Sequence, residues 1–197
     1  MAAVVVLDPD TVLMLKAAAG DDASFDLLLH RHRASVVNHL YRCVRNRDIA
    51  EELAQDVFLR VYRSRHRYHP EAKFTTWLFR ITANVALNWR RDTRRETGLI
   101  RLDDEPHNAR KLEVLDRMPR ADELLLDRHR ADEVRAAVEA LPSKQLAAVI
   151  LHKYEGLDYA QIAEVLNLSI PALKSLLFRA YETLRRRLAH FGPRPVA

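Results

Sequence analysis

The chain has 197 residues, 48% of them hydrophobic, with a formal net charge of +5 and a pI near 9.5. That length allows one large or two small domains, and that apolar fraction excludes global disorder. Four glycines and 7% aromatic residues leave too few turn and strand formers for a sheet-rich fold, whereas the many Leu, Ala, Arg and Glu residues favour an all-α chain.

The mild basic excess suits an anionic partner, though a solvated basic surface explains it equally well. Cys43 is the single cysteine, so neither an intrachain disulfide nor a multi-cysteine metal site is possible. Among Leu40, Tyr41 and Val44 it reads as a small buried hydrophobe. The apolar run at 2–7 is short and no basic segment precedes it, so it does not read as a signal peptide. No stretch approaches membrane-spanning length, and the expectation is a cytoplasmic protein without membrane insertion.

Residues 1–20 read as an N-terminal extension. From 21 to 97 helical patterns follow one another closely and define a first domain. A helix is expected over about 23–45, with Phe25, Leu28, Leu29, Val36, Leu40 and Val44 on one apolar stripe. Asp48 and Glu51 have the spacing of an approximate capping box, so a second helix is expected to open at Asp48. Ile49, Leu53, Val57 and Val61 face inward along it. Its other face carries Glu52, Gln55, Asp56 and Leu59, with Glu51 at the flank. Such an acidic and apolar ridge would repel DNA and suits a protein partner, or is an ordinary solvated face.

Pro70 marks a loop, "RYHPEAKF", before a third helix over about 75–95. Leu78, Ile81, Val85 and Trp89 keep helical spacing there, while Arg80, Asn84, Asn88, Arg91 and Arg95 recur on another face. A basic, amide-bearing face behind an aromatic loop suits nucleic acid, with arginines on phosphates and amides or rings on an unstacked base. A solvated basic face beside a core tryptophan is the plainer alternative.

Between 98 and 128, Pro106, Pro119 and mixed charge replace periodicity. This stretch reads as a flexible linker, with a short helix near 111–117, joining two domains. Val134, Val138 and Leu141 then open a second domain over 129–197. Pro142 ends one helix and Ser143 can cap the next. Asp158 and Gln161 have N-cap and N3 spacing for a helix from Tyr159. Ala163 permits close approach of a second helix, Asn167 suits a left-handed corner, and Leu168 plugs it. Ser169 can cap a last helix whose inner face is Leu173, Leu176, Leu177, Ala180 and Leu184.

These offsets match a helix-turn-helix. Pro171, Ala172, Lys174, Ser175, Phe178 and Arg179 then lie on or beside the groove-facing side. Lys174 and Arg179 have the reach for phosphates or base edges, and Ala172 suits a thymine methyl. Two helix starts stay open: Ser169 caps and Ile170 is pushed from helical angles, or the helix begins at Pro171 itself.

Three segments together carry a resemblance. "DIAEELAQDVFLRVYR", "KFTTWLFRITANVALNWRR" and "LPSKQLAAVILHKYEGLDYAQIAEVLNLS" resemble, in order, the bacterial extracytoplasmic-function sigma factors. The resemblance covers about 21–97 and 129–190. It implies a subunit that binds core RNA polymerase and promoter DNA, with no enzymatic activity, catalytic residue, cofactor or metal of its own. The helix over 48–60 looks like the polymerase-binding surface, through Asp48, Glu51, Glu52, Gln55, Asp56 and Phe58, the last of which also fits the core.

The resemblance further implies that the 68–73 loop and the helix through Arg91 recognise and melt the −10 element. Tyr68, Lys73, Thr76, Trp77, Asn84 and Asn88 are its candidate −10 contacts, with Asn84, Asn88 and the loop the candidates for capturing a base, and Arg80, Arg90, Arg91, Arg94 and Arg95 would hold the backbone. Ser169, Pro171, Ala172, Lys174, Ser175, Phe178 and Arg179 would read the −35 element. Asp103, Asp104 and Glu105 would form an RNA-mimicking acidic segment or an ordinary solvated linker, and an anti-sigma factor is implied as inhibitor. Asn88 stands where the family commonly has aspartate, and Pro171-Ala172 where it has Gly-Thr, so promoter sequence does not transfer. A dimeric helix-turn-helix regulator would explain 129–190 equally well, but not the Arg- and Asn-bearing helix. His30 with His32, and His66 with His69, suggest metal ligands only weakly, because no acidic or cysteine partner completes the spacing.

Overall fold

In the computed structural model, which describes residues 8–96 and 121–191, eight α-helices follow one another with two short 3-10 turns. No strand occurs among the described residues. The run at 2–7, Asp103, Asp104 and Glu105, and the short helix expected at 111–117 lie outside them.

α1 (Pro9–Ala18) begins at Asp8, whose carboxylate accepts the N–H groups of Asp10 and Thr11, with Pro9 in the first turn where no N–H is needed. Residues 9–18 are thus part of the folded body: Met14 and Ala17 are buried, and α1 packs on α2. α2 (Asp22–Val44) is capped by Asp21 and ends at Arg45 in the left-handed conformation. Its stripe goes inward as expected, with Phe25, Leu28, Val36 and Leu40 buried and Leu29 and Val44 packed at the edge.

α3 (Arg47–Ser64) opens one residue earlier than its Asp48 reading. Asn46 holds the extended backbone of an N-cap and its side-chain oxygen accepts the Ile49 N–H at 3.0 Å. Asp48 instead lies in the first turn, where its charge complements the helix dipole. A 3-10 turn at Arg65–Arg67 leads through the loop to α4 (Phe74–Glu96), held on α2 and α3 by buried Phe74, Leu78, Phe79 and Val85.

α5 (Ala121–Glu139) starts inside the stretch expected to be linker. α6 (Ser143–Lys153) corrects another expectation: Pro142 occupies the N-cap position and Ser143 makes no cap bond. α7 (Tyr159–Leu166) and α8 (Ile170–Arg187) complete the second unit. The two units are docked. α4 packs against α6 and α7, α2 packs against α6, and one continuous core runs from Met14 and Leu40 to Ile150, Ile162 and Leu173.

Candidate nucleic-acid interface

Because Leu78 and Val85 anchor one side of α4, helical geometry turns Arg80, Asn84, Asn88, Arg91 and Arg95 outward, and all five are exposed. Asn84 and Ile81 meet Arg60, Arg63, Ser64 and Arg67 around a cavity of about 470 Å3. The sequence reading does not single out Arg60, Arg63 and Arg67, yet their spacing of three and four residues is a helix-face signal that continues into the 3-10 turn. Arg60 is paired with Asp56 at 2.9 Å, while Arg63 and Arg67 have no acidic partner among the described residues. The cavity is therefore positive, amide-bearing and of small-ligand size.

The loop behind it departs from the sequence reading. Tyr68 and Thr76 are 4% and 1% exposed, so neither can touch a base. Their job is packing. The Tyr68 ring meets Trp77 edge-on at 5.2 Å, and its hydroxyl lies 3.0 Å from Thr11 Oγ1 and 3.3 Å from the Ala72 carbonyl. Burial pushes the Tyr68 hydroxyl pKa up, keeping it a neutral hydrogen-bonding group. Lys73 is exposed and Trp77 half-buried. Arg90 is turned inward: Nη1 donates to the Cys43 carbonyl at 2.9 Å and Nε to Ser143 Oγ at 3.3 Å. Arg91 pairs with Asp92 at 3.1 Å, and Arg94 and Arg95 are exposed at the end of the helix.

On the first half of α3 the opposite sign collects. Asp48, Glu52 and Gln55 are exposed, with Leu59 45% exposed among them, while Glu51 accepts hydrogen bonds from Arg33 and Arg47. Phe58 is buried in the core and leaves the list of contact residues. The surface combines carboxylates, an amide and a leucine, which suits a protein rather than DNA.

The second unit contains a well-capped helix pair. Asp158 and Gln161 form a reciprocal capping box at 2.9 Å in both directions. α7 ends at Asn167 with φ 52°, and the Leu168 N–H returns to the Ala163 carbonyl at 2.9 Å, which satisfies a helix-end acceptor while turning the chain. Ser169 then caps α8 through the Ala172 N–H, so Ile170 lies inside the helix and Pro171 in its first turn. That settles the two starts in favour of the Ser169 cap.

Leu173, Leu177 and Ala180 face the core. Ser169, Pro171, Ala172, Lys174, Ser175, Phe178 and Arg179 are all exposed, and Phe178 is 67% exposed. Lys174, Ser175, Phe178 and Arg179 line one surface groove. Phe178 thus presents an exposed aromatic ring in the same groove as the two cations Lys174 and Arg179.

A basic helix with an adjoining cavity and a helix-turn-helix on one all-helical chain define a two-part nucleic-acid-binding protein. Residues 28–96 match the family described as sigma-70 region 2, and 131–184 match sigma-70 region 4. The ECF RNA polymerase sigma factor SigE of Mycolicibacterium smegmatis is 34% identical over 87% of this chain, which spans 65% of that relative's length. The ECF RNA polymerase sigma-E factor of Escherichia coli K12 is 27% identical, over 91% of this chain and 94% of its own. Among solved structures, the sigma factor RpoE of Bartonella quintana, crystallised with the anti-sigma factor NepR, has a TM-score of 0.61 at 20% identity, covering 84% of this chain and 96% of that one, and shows the same fold. The chain belongs to the extracytoplasmic-function group of RNA polymerase sigma factors.

Proposed function

We propose that the chain is a dissociable specificity subunit of RNA polymerase that recognises and opens promoter DNA. The acidic and apolar ridge of α3 binds the core enzyme. The exposed face of α4 and its cavity hold the opened −10 strand, and α8 reads the −35 duplex.

Strand opening costs a few kcal/mol per unstacked base. A site that receives the displaced base and neutralises its phosphate offsets that cost. The observation that carries this reading is the meeting of Arg60, Arg63 and Arg67 with Asn84 around one cavity, beside exposed Arg80 and Asn88. A duplex reader alone has no need of such a receptacle. On α8, Lys174 and Arg179 supply cations for phosphates or guanine edges, and Ala172 and Phe178 supply apolar surface for thymine methyls. No residue is assigned a catalytic role, and the protein works in the cytoplasm with polymerase.

An anti-sigma factor is the natural inhibitor. This is supported by the family and by the Bartonella quintana neighbour, which was solved with its anti-sigma factor. The test of strand opening is permanganate oxidation of promoter thymines in a complex of the chain with core polymerase. The reading expects reactive thymines confined to the −10 region, and their absence with bound promoter would remove the melting role.

A further inference from the structure

Asp10 and Thr11 are neighbours in the first turn of α1 and reach in two directions. Asp10 pairs with Arg31 and lies 2.8 Å from His32 Nε2, which fixes α1 to α2. The His32 ring in turn meets that of Phe74, the first residue of α4, at 5.4 Å. Thr11 Oγ1 lies 3.0 Å from the Tyr68 hydroxyl, and that hydroxyl lies 3.3 Å from the Ala72 carbonyl. Tyr68 and Phe74 are the two ends of the loop ahead of α4, and both are buried. Between them His69, Pro70, Glu71 and Lys73 are exposed.

The same contact reaches the cavity. α1 packs on the 3-10 turn Arg65–Arg67, and the Tyr68 N–H closes that turn on the Arg65 carbonyl at 3.2 Å. Arg67, which lines the cavity with Asn84, directly precedes Tyr68 in the chain. A shift of Tyr68 therefore moves both the loop and one wall of the cavity.

An exposed loop is adaptable by default. An adaptable loop moulds itself to whichever base is offered and discriminates poorly. A base is rejected only where donors and acceptors are held in place before it arrives. Here both ends of the loop are held, one by Thr11 directly and the other through His32. The plainer role for the Thr11–Tyr68 contact is general stability, which would affect every function of the chain alike.

We infer that α1 is a positioning element for −10 recognition: Thr11, acting through Tyr68, fixes the 68–73 loop and Arg67 in the shape that selects the unstacked base. Thr11 is 2% exposed and touches no DNA itself. This role rests on the reading of loop and cavity as the −10 site.

The test uses the full chain bound to core polymerase. The parent first selects a preferred strand from single-stranded DNA randomised at the −10 positions. Anisotropy then compares that strand with its single-base variants, well below the thermal midpoint of the least stable protein. Thr11→Val and Tyr68→Phe should each lower the preference for the selected base by about fivefold, the weight of one hydrogen bond. Their combination should lower it no further, because both remove the shared contact. Thr11→Ser, which keeps the hydroxyl, should retain the parental preference, and −35 duplex affinity should stay parental throughout. Equal weakening on every strand, with the preference unchanged, would reduce α1 to a structural support and overturn the inference. A parent with no base preference at all would instead contradict the −10 reading beneath it, and the positioning role with it.

Discussion

Thr11 Oγ1 and the Tyr68 hydroxyl lie 3.0 Å apart in the interior and tie α1 to the base of the loop before α4. Thr11 also donates to the Asp8 carboxylate at 2.6 Å, so the single Tyr68 hydroxyl proton is divided between Thr11 Oγ1 and the Ala72 carbonyl. Thr11→Val keeps the shape and removes both the contact with Tyr68 and the bond to Asp8, so it should cost about 1–3 kcal/mol of stability. Thermal denaturation measures this, and an unchanged midpoint would show both to be dispensable.

The cavity residues should separate into two kinds by their response to salt. Arg67→Ala should weaken binding of a single-stranded −10 oligonucleotide and reduce the slope of log affinity against log salt by about 0.7. Asn84→Ala should weaken the same binding with the slope unchanged, because no phosphate charge is lost. Anisotropy titrations at several salt concentrations distinguish the two, and a slope change for Asn84→Ala would place it on the backbone.

On the duplex side, Lys174→Ala should lower the salt slope for −35 binding by about 0.9. Phe178→Ala should leave the slope intact yet cost affinity on thymine-bearing sites, by about 1 kcal/mol or more. Both variants should retain core association. Unchanged duplex binding by Phe178→Ala would mean its exposed ring serves another contact.

Glu52→Lys with Gln55→Lys reverses the sign of the α3 ridge. It should weaken binding to core polymerase at least tenfold while leaving −35 duplex affinity untouched. Equal loss of both would contradict the division of labour between the two units.

Docking of the units should depend on pH through His39. Burial opposes charge on its imidazole, but Cys43 beside it and the Glu155 carboxylate favour it more, and the pKa is raised to about 9. The Phe79 ring, at 5.4 Å, adds no charge. Cys43 lies on α2 with His39 and stays beside it in either arrangement, so only the Glu155 share of the rise belongs to docking. Against a free histidine at about 6.5, that share is full below this value and is lost as pH rises through about 9. Scattering from pH 6 to 10 should show expansion at the alkaline end, abolished in Glu155→Gln, which should be equally expanded throughout. Expansion on acidification instead would contradict the assigned charge.

Much of the second unit was legible because its determinants are local. Asp158 with Gln161, Asn167 and Ser169 each act within three or four residues, and each does in the structure what its spacing suggests. The amphipathic stripes of α2 and α4 were legible for the same reason. What was not legible depends on distant partners. Tyr68 and Thr76 look like exposed loop and helix-start residues until α1, contributing Thr11 from 57 positions away, covers the loop. Arg90 looks like a phosphate contact until Ser143 and the Cys43 carbonyl receive it. The docking of the two units leaves no local trace, since Ser35 and His39 find Glu155 across more than a hundred residues.

Reconstituted transcription tests the central claim most directly. The chain is added to core RNA polymerase with a library of templates randomised at the −35 and −10 regions, and transcript starts are mapped. The account predicts starts at a fixed distance from a selected pair of elements, dependent on both the chain and core polymerase. Failure to direct any start, with the chain instead binding duplex DNA alone as a dimer, would contradict it.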